Sequence, residues 1–483
     1  MGDGVIGNTL GFGPNVEGSS PSPPAINFEM NVSGVILAAG KGTRMKSNLP
    51  KVLHSVSGKK LISYALEVIE DINTKYVVVG HEAEQVMEAL PESLNFVIQE
   101  EQKGTGHAIS ILLEDKKFAN DTSEYILVLP GDVPMINSND IKNLIKKVTD
   151  SSSTIGFLTS KVSNPFGYGR VIQQDRQIKI VEEKDCTEEE RLVDEINSGI
   201  YCFEKEFLLE QINNLNTSNA QGEFYITDLI GIANNEKKDI VIVQVEEDSI
   251  RGINSMGQLN EVEDALLKQT IQQFMDEGVY FQDPTSTYID STVKISPGTK
   301  VYANSHLKGE TEIGPDCEIG PNAQINNSKV GQGSKVLNSV VDDSIIDAGG
   351  QIGPFAHIRP GSELGENVKV GAFAETKKSK IGKGSKIPHL AYVGDAELGT
   401  GVNFSAGAIT VNYDGKNKHK TDIEDGAFIG SDVMLVAPVT IGKESMIGAG
   451  SVITKDVPSK ALGIERNDQK NIEGYMDRKK KND

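Results

Sequence analysis

The densest run of residues able to do chemistry is Ala38-Ala39-Gly40-Lys41-Gly42-Thr43-Arg44-Met45, followed closely by Leu49-Pro50-Lys51. Glycine lets backbone N–H groups approach an anion closely, while Arg44 and Lys51 supply charge suited to a triphosphate. The run is neither the G-x-x-x-x-G-K-[ST] phosphate loop nor the dinucleotide G-x-G-x-x-G, because Met45 takes the third glycine's place. Taken alone, it reads as an anion cradle or as a tight strand-to-helix turn with exposed bases. Of the seven histidines, His389 in Lys386-Ile387-Pro388-His389-Leu390-Ala391-Tyr392 is a candidate general base toward an amine. Its spacing alone fits a surface or packed residue better. His107, in Gly104-Thr105-Gly106-His107-Ala108, reads as a packing or turn histidine.

Two patterns must position these groups. From Val32 to about Val245, β-rich runs (Gly34–Ala39, Tyr76–Gly80, Asn95–Gln99, Tyr125–Pro130, Thr154–Ser160, Ile240–Val245) alternate with helical stretches (Leu61–Ile72, Thr105–Leu113, Asn139–Val148). That alternation predicts a mostly parallel sheet with helices on both faces and ligands at the carboxyl ends of strands. From about Ile295 aliphatic residues recur every sixth position: Ile313, Ile319, Ile325; Ile346, Ile352, Ile358, Leu364, Val370; Ile381, Ile387, Val393; Ile429, Leu435, Ile441, Ile447, Ile453. Period six is the mark of a parallel β-helix of hexapeptide repeats, each aliphatic residue pointing inward. Interruptions at 371–380, at 394–428 and after 453 predict protruding loops, the polar one at Asn412-Tyr413-Asp414-Gly415 and Lys416–Lys420 above all. Between the two patterns Met256–Glu277 reads as one helix, a rigid spacer.

At 483 residues the chain exceeds one ordinary domain. A net charge of −21 excludes a nucleic-acid binder, although small anions answer to local bases. No apolar run approaches the ~18–20 residues of a membrane span. Cys186, Cys202 and Cys317 lack metal-ligand spacing and fit a reducing, cytoplasmic setting. Residues 1–29 have neither a basic n-region nor an apolar core, and read as a disordered leader. Arg478-Lys479-Lys480-Lys481 reads as a solvated tail.

The loop L-A-A-G-x-G-T-R-M followed by L-P-K resembles that of sugar-nucleotide pyrophosphorylases. Gln99 with Gly104–Ala108, Pro130-Gly131-Asp132, Gly167-Tyr168-Gly169-Arg170, Val181-Glu182, Asn197-Ser198-Gly199 and Gly252-Ile253-Asn254 resemble further segments of that family, in its order. With the hexapeptide half, the chain resembles the bacterial bifunctional N-acetylglucosamine-1-phosphate uridylyltransferases/glucosamine-1-phosphate acetyltransferases from Met30 to about Arg466. The resemblance implies that Leu37, Ala38, Ala39, Gly40, Lys51, Gln99, Gly104 and Thr105 bind UTP. It implies that Asp132 and Asn254 hold Mg²⁺, that Gly169, Glu182, Asn197 and Asn254 bind the acetylated sugar phosphate, and that Arg44 and Lys51 stabilise the transferring phosphate. In the second half it implies that His389 is the base, and that Arg359, Lys377, Tyr392, Asn403 and Lys418 bind glucosamine 1-phosphate. Ala406, Asn412, Tyr413, Ser431, Ala449 and Arg466 would then bind acetyl-CoA. Pro388 departs from the family pattern before the histidine, and the helix near Asn254–Leu266 lacks its basic stretch.

The expected organisation is a leader (1–29), a Rossmann-like nucleotidyltransferase domain (30–255), a linker helix (256–282), a β-helix acetyltransferase domain (283–457) and a tail (458–483). Parallel crossovers are right-handed in ~98% of cases; the resemblance instead implies a left-handed coil. It also implies a cytoplasmic homotrimer acting on small molecules, without nucleic-acid or membrane partners. A single-activity nucleotidyltransferase whose β-helix only trimerises it is the alternative, and a β-helix serving purely as a binding scaffold a third reading. The constellation Arg359, Lys377, His389, Tyr392 and Asn403 with the 412–420 loop favours two activities.

Overall fold

The computed structural model describes residues 31–174 and 177–479. The expected leader lies outside the described residues, as do Lys480 and Lys481 of the basic run. The N-terminal sheet runs in the order Ile240–Gln244, Ile155–Lys161, Glu195–Glu204, Tyr125–Pro130, Val32–Ala38, Thr74–Val79, Asn95–Ile98. Its parallel pairings were expected from the strand–helix alternation. One strand was not: Glu195–Glu204 is inserted antiparallel between two neighbours. Asn197-Ser198-Gly199 breaks the apolar pattern there, and the register shifts between Asn197 and Tyr201, so the strand carries a bulge that hides it from periodicity. It also carries the hairpin Arg170–Gln174/Gln177–Val181.

Two apolar layers cover the faces, one around Val35, Val78, Val128 and Phe157, the other around Ile36, Val77, Leu127 and Leu158. Successive residues of each strand thus feed opposite layers, as the pleat requires. Helices Thr105–Glu114 and Ser138–Ser151 fall close to expectation, the latter capped by Asn137, whose side chain accepts from the Asp140 N–H. The first helix is shorter than expected, Leu61–Val68, and gives way to a turn.

The C-terminal half is a prism of three parallel sheets of 11, 10 and 9 short strands, each strand pairing with the one three steps later except at the C-terminal end, where Leu462–Gly463 pairs with the strand two steps before it. Most strands turn one residue inward, and Ile313, Ile319 and Ile325 are all buried. The interruptions expected at 371–380 and across most of 394–428 are not loops. Thr376, Phe404 and Thr410 occupy the inward seats, and the Thr376 hydroxyl donates to Ser362 Oγ (3.1 Å) while Thr410 donates to the Gly394 carbonyl (3.0 Å). A buried hydroxyl that keeps a partner costs little, so the coil runs through positions where the aliphatic signal lapses. After 453 the coil also continues, with Leu462–Gly463 pairing to Met446–Ile447. Residues 412–420 project from the coil, closed by a Tyr413–Lys418 bridge.

The linker helix, Met256–Asp276, does more than space the halves. Val262 packs with Met45, Val56, Leu61, Tyr64 and Ile253, whereas Ile271 and Phe274 belong to the prism core. Beside it, the turn of the hairpin Ser55–Val56/Lys59–Lys60 docks on the first coil, where the Ser291 N–H donates to the Ser57 carbonyl (2.9 Å).

Candidate active sites

The loop after Val32–Ala38 and the Gly131–Asp132 turn leave adjacent parallel strands at their carboxyl ends, and the Gly131 N–H donates to the Leu37 carbonyl (3.0 Å). Gly42 takes φ +57°, and a Cβ there would sit 2.8 Å from the Lys51 Cβ. Only glycine lets the loop close over Lys51. The Lys51 ammonium is ion-paired with Asp132 and donates to Asn254 Oδ1 (2.7 Å). Arg44 donates to the same oxygen (2.8 Å). The Ile253 N–H donates to the Asp132 carbonyl (3.1 Å), tying the two segments together. One cation is thus already held by two hard oxygens, the donor chemistry a magnesium-like ion takes alongside water and substrate phosphate. Among the described residues no three or more His, Cys, Asp or Glu cluster as metal ligands.

Leu37, Ala38, Ala39 and Gly40 form the strand end and start of this loop. Gln99 and the Gly104–Thr105 segment lie two strands away, roughly 10 Å along the sheet edge. Gln99 is buried and contacts the Gly104 carbonyl (3.2 Å) and His107 Nδ1 (3.0 Å). His107 stacks against Phe224 at 6.3 Å. The histidine read as a packing residue therefore also holds Gln99 in place.

Gly169, Glu182 and Asn197 come together. The Asn197 N–H donates to the Gly169 carbonyl (2.9 Å), and a Cβ built on Gly169 would lie 3.5 Å from both Glu182 carboxylate oxygens. Burial pushes the Glu182 carboxyl up, assisted by Asp185, Asp228 and Glu223 and opposed by a hydrogen bond from Thr227 (3.3 Å). Sequence reasoning missed Thr227, Phe224 and the phenol of Tyr168. Burial raises that phenol, which accepts a hydrogen bond from the Gly252 backbone and lies near Arg251 and Asp132. Tyr168 stood in a quoted motif; nothing local marked Thr227 or Phe224.

In the prism most of the expected residues sort onto the two borders of one face, while Asn403 lies on the adjoining sheet in register with Lys386. His389 ends strand Lys386–His389 and is exposed, and among the described residues its imidazole makes no hydrogen bond. It pairs with Ala372. Ala406, Ser431 and Ala449 each stand two residues beyond the inward residues Phe404, Ile429 and Ile447, as His389 does beyond Ile387, so one column of small residues rises from the histidine. Arg466 closes its top, donating to the Ala449 carbonyl (3.2 Å). Asn403 begins the next strand of the same sheet, its amide donating to Ser405 Oγ (2.9 Å).

Arg359 and Lys377 share the opposite border, on neighbouring coils. Lys418 reaches Lys377 from the projecting loop and, with Arg359, holds the Lys377 ammonium below its usual range. Arg359 is paired with Glu375 (2.5 Å), which raises the guanidinium further. Like charges gathered on a surface are unfavourable unless an anion joins them. Tyr392 spans the face: its ring lies over Gly394, and its phenol interacts with Arg359 and Lys418. In the loop, Asn412 donates to Asp395 (2.5 Å), and Tyr413 is exposed, its hydroxyl donating to the Gly415 carbonyl (2.7 Å). Pro388 leaves the strand intact through His389.

An anion crevice at the edge of an α/β sheet and a charged face on a hexapeptide prism define a fused two-domain transferase. Residues 33–249 match the nucleotidyl transferase family, 288–381 the GMPPB C-terminal domain, and 420–455 the bacterial transferase hexapeptide repeats. The chain is 45% identical over 450 residues to the bifunctional protein GlmU of Shouchella clausii, covering 92% of this chain and 98% of that one. It is 43% identical to the Carboxydothermus hydrogenoformans GlmU (92% and 100% covered) and 42% identical to that of Clostridioides difficile (94% and 99%). The chain belongs to the GlmU family of bifunctional proteins. No helix of the described residues is long and apolar enough to cross a membrane.

Proposed function

We propose that this chain makes UDP-N-acetylglucosamine in two steps, acetylating glucosamine 1-phosphate and then transferring a uridylyl group to the product. The observation that carries the two-activity reading is the gathering of Arg359, Lys377 and Lys418 on the face bordered by His389. A scaffold has no need of three clustered cations there; a phosphate monoester does.

In the first step the phosphate sits on those cations, with Tyr392 and Asn403 against the sugar. His389 takes a proton from the amine, whose nitrogen attacks the thioester carbonyl carbon; the carbon–sulfur bond breaks and the thiol leaves. The column Ala406–Ser431–Ala449, with Asn412, Tyr413 and Arg466, gives an elongated acyl donor such as acetyl-CoA a path free of bulky side chains. In the second step Gly169, Glu182 and Asn197 hold the acetylated sugar. Its phosphate oxygen attacks the α-phosphorus of UTP and pyrophosphate leaves. Arg44 and Lys51 offset the developing charge, and Gln99 with Gly104 and Thr105 reads the base. Bound Mg²⁺, held by Asp132 and Asn254, would supply further charge neutralisation.

We place the nucleotidyltransferase at 30–255, the linker at 256–282 and a left-handed acetyltransferase prism at 283–457, one of whose sheets is extended by the flanking strands Tyr280–Phe281 and Leu462–Gly463. The enzyme works as a cytoplasmic homotrimer. Support for self-association comes from the border that carries His389. Phe355, Phe373 and Leu390 stand exposed there in the left-handed region (φ +60°, +57°, +52°), the two rings stacked at 5.4 Å. Bulky residues pay a steric cost in that conformation, and an apolar column beside a reactive group is what a neighbouring subunit covers.

The test supplies glucosamine 1-phosphate, acetyl-CoA, UTP and Mg²⁺ and follows products by mass spectrometry, with His389→Ala alongside. Wild type should yield UDP-N-acetylglucosamine and free thiol. The variant should lose acetyl transfer and still convert N-acetylglucosamine 1-phosphate. Thiol release retained in His389→Ala would overturn the assignment of the base.

A further inference from the structure

Arg170 is 2% exposed, yet none of the roles above uses it. Its guanidinium turns back on the residues before it, donating to the Tyr168 carbonyl and to Glu183 Oε2 (2.7 Å). The same Glu183 oxygen accepts the Gly167 N–H (3.0 Å), and Arg191 approaches the other at 3.7 Å. Among the described residues the buried Arg170 Nε has no partner. A buried ion pair of this kind is weak evidence for stability, since apolar packing of equal volume serves a fold as well. What the pair fixes is geometry. It pins both ends of the turn Gly167-Tyr168-Gly169, which presents Gly169 to Glu182 and the Tyr168 phenol to Gly252, two residues before Asn254. Glu182 and Glu183 are adjacent, so one strand end sends one carboxylate into the sugar site and the next onto the arginine that shapes it.

We propose that Arg170, anchored on Glu183, is a positioning residue for the sugar phosphate in the uridylyl-transfer site. It touches no substrate; it keeps Gly169 close beside Glu182, so that the two together present one surface to the sugar. The inference rests on the reading of Gly169 and Glu182 as sugar contacts.

The test is steady-state kinetics of pyrophosphate release by full-length Arg170→Met, Arg170→Lys and Glu183→Gln, varying N-acetylglucosamine 1-phosphate and UTP separately. Arg170→Met should raise the KM for the sugar phosphate about tenfold, while the KM for UTP stays within about twofold, because a misplaced holding group penalises only the ligand it holds. Arg170→Lys should fall between, since a single ammonium cannot reproduce the planar fork. Glu183→Gln, which frees the guanidinium without removing it, should raise the same KM. An unchanged sugar-phosphate KM, or equal rises for both substrates, in folded Arg170→Met refutes the proposal. If that variant does not fold, an unchanged KM in Glu183→Gln does so. Wild type forming no UDP-sugar would instead remove the underlying reading.

Discussion

Replacing Asp132 by Asn keeps the size of the side chain and one acceptor oxygen but removes its charge. Lys51 and Asp132 are mostly shielded, with side chains 14% and 18% exposed, so an effective dielectric near 20 is appropriate and a unit charge about 4 Å away is worth roughly 4 kcal/mol before desolvation. If most of that attraction is realised where charge develops in the transition state, about 3 kcal/mol is lost, roughly a 10²-fold fall in kcat. Removing one partner of a buried pair outright costs about 3–5 kcal/mol. Here Lys51 keeps Asn254 at 2.7 Å and gains an amide acceptor, so the stability loss should be nearer 1–2 kcal/mol, about 5 °C in the melting temperature of this part. The assay is pyrophosphate release as a function of Mg²⁺ concentration, with thiol release from acetyl-CoA measured on the same preparation. The concentration of metal for half-maximal rate should rise and kcat at saturation should fall about 10²-fold, with acetyl transfer unchanged. A kcat within about threefold of wild type at saturating metal would refute the reasoning, and so would a parallel loss of acetyl transfer.

Two other outcomes follow from the same geometry. Because burial raises the Glu182 carboxyl, its ionised form destabilises the fold, an effect absent below the ordinary carboxylate range and growing as pH rises toward and through the raised value. Glu182→Gln should therefore melt higher than wild type at pH 8, lose that advantage near pH 4, and bind the sugar phosphate more weakly; thermal melts across pH check it. Lys418→Ala removes the main cause of the depressed Lys377 ammonium, so the alkaline rise in KM for glucosamine 1-phosphate should move to higher pH. At neutral pH that KM should increase and depend less on salt, as read from thiol-release kinetics at several ionic strengths.

Both architectures were legible in the amino-acid order, and so was the list of candidate chemistry-bearing residues. A sixfold aliphatic period admits one kind of solenoid, and Gly42, Arg44 and Lys51 announce an anion loop wherever the chain goes next, because periodicity and loop chemistry are local properties. Tertiary structure decided what those residues face. Lys51 meets Asn254 across 203 residues, and no spacing rule spans that separation. The antiparallel insertion of Glu195–Glu204 joins Asn197 to Gly169, and its bulge erased the pattern that would have revealed it. In the prism, buried Thr376 and Thr410 carry the coil where aliphatic residues lapse, since a partnered hydroxyl can fill an inward seat. The division of His389 and Lys377 between two borders of one face, bridged by Tyr392, depends on where each coil turns its corners. Which groups converge is fixed by pairings between distant strands, which each contribute energy only once the whole sheet has formed.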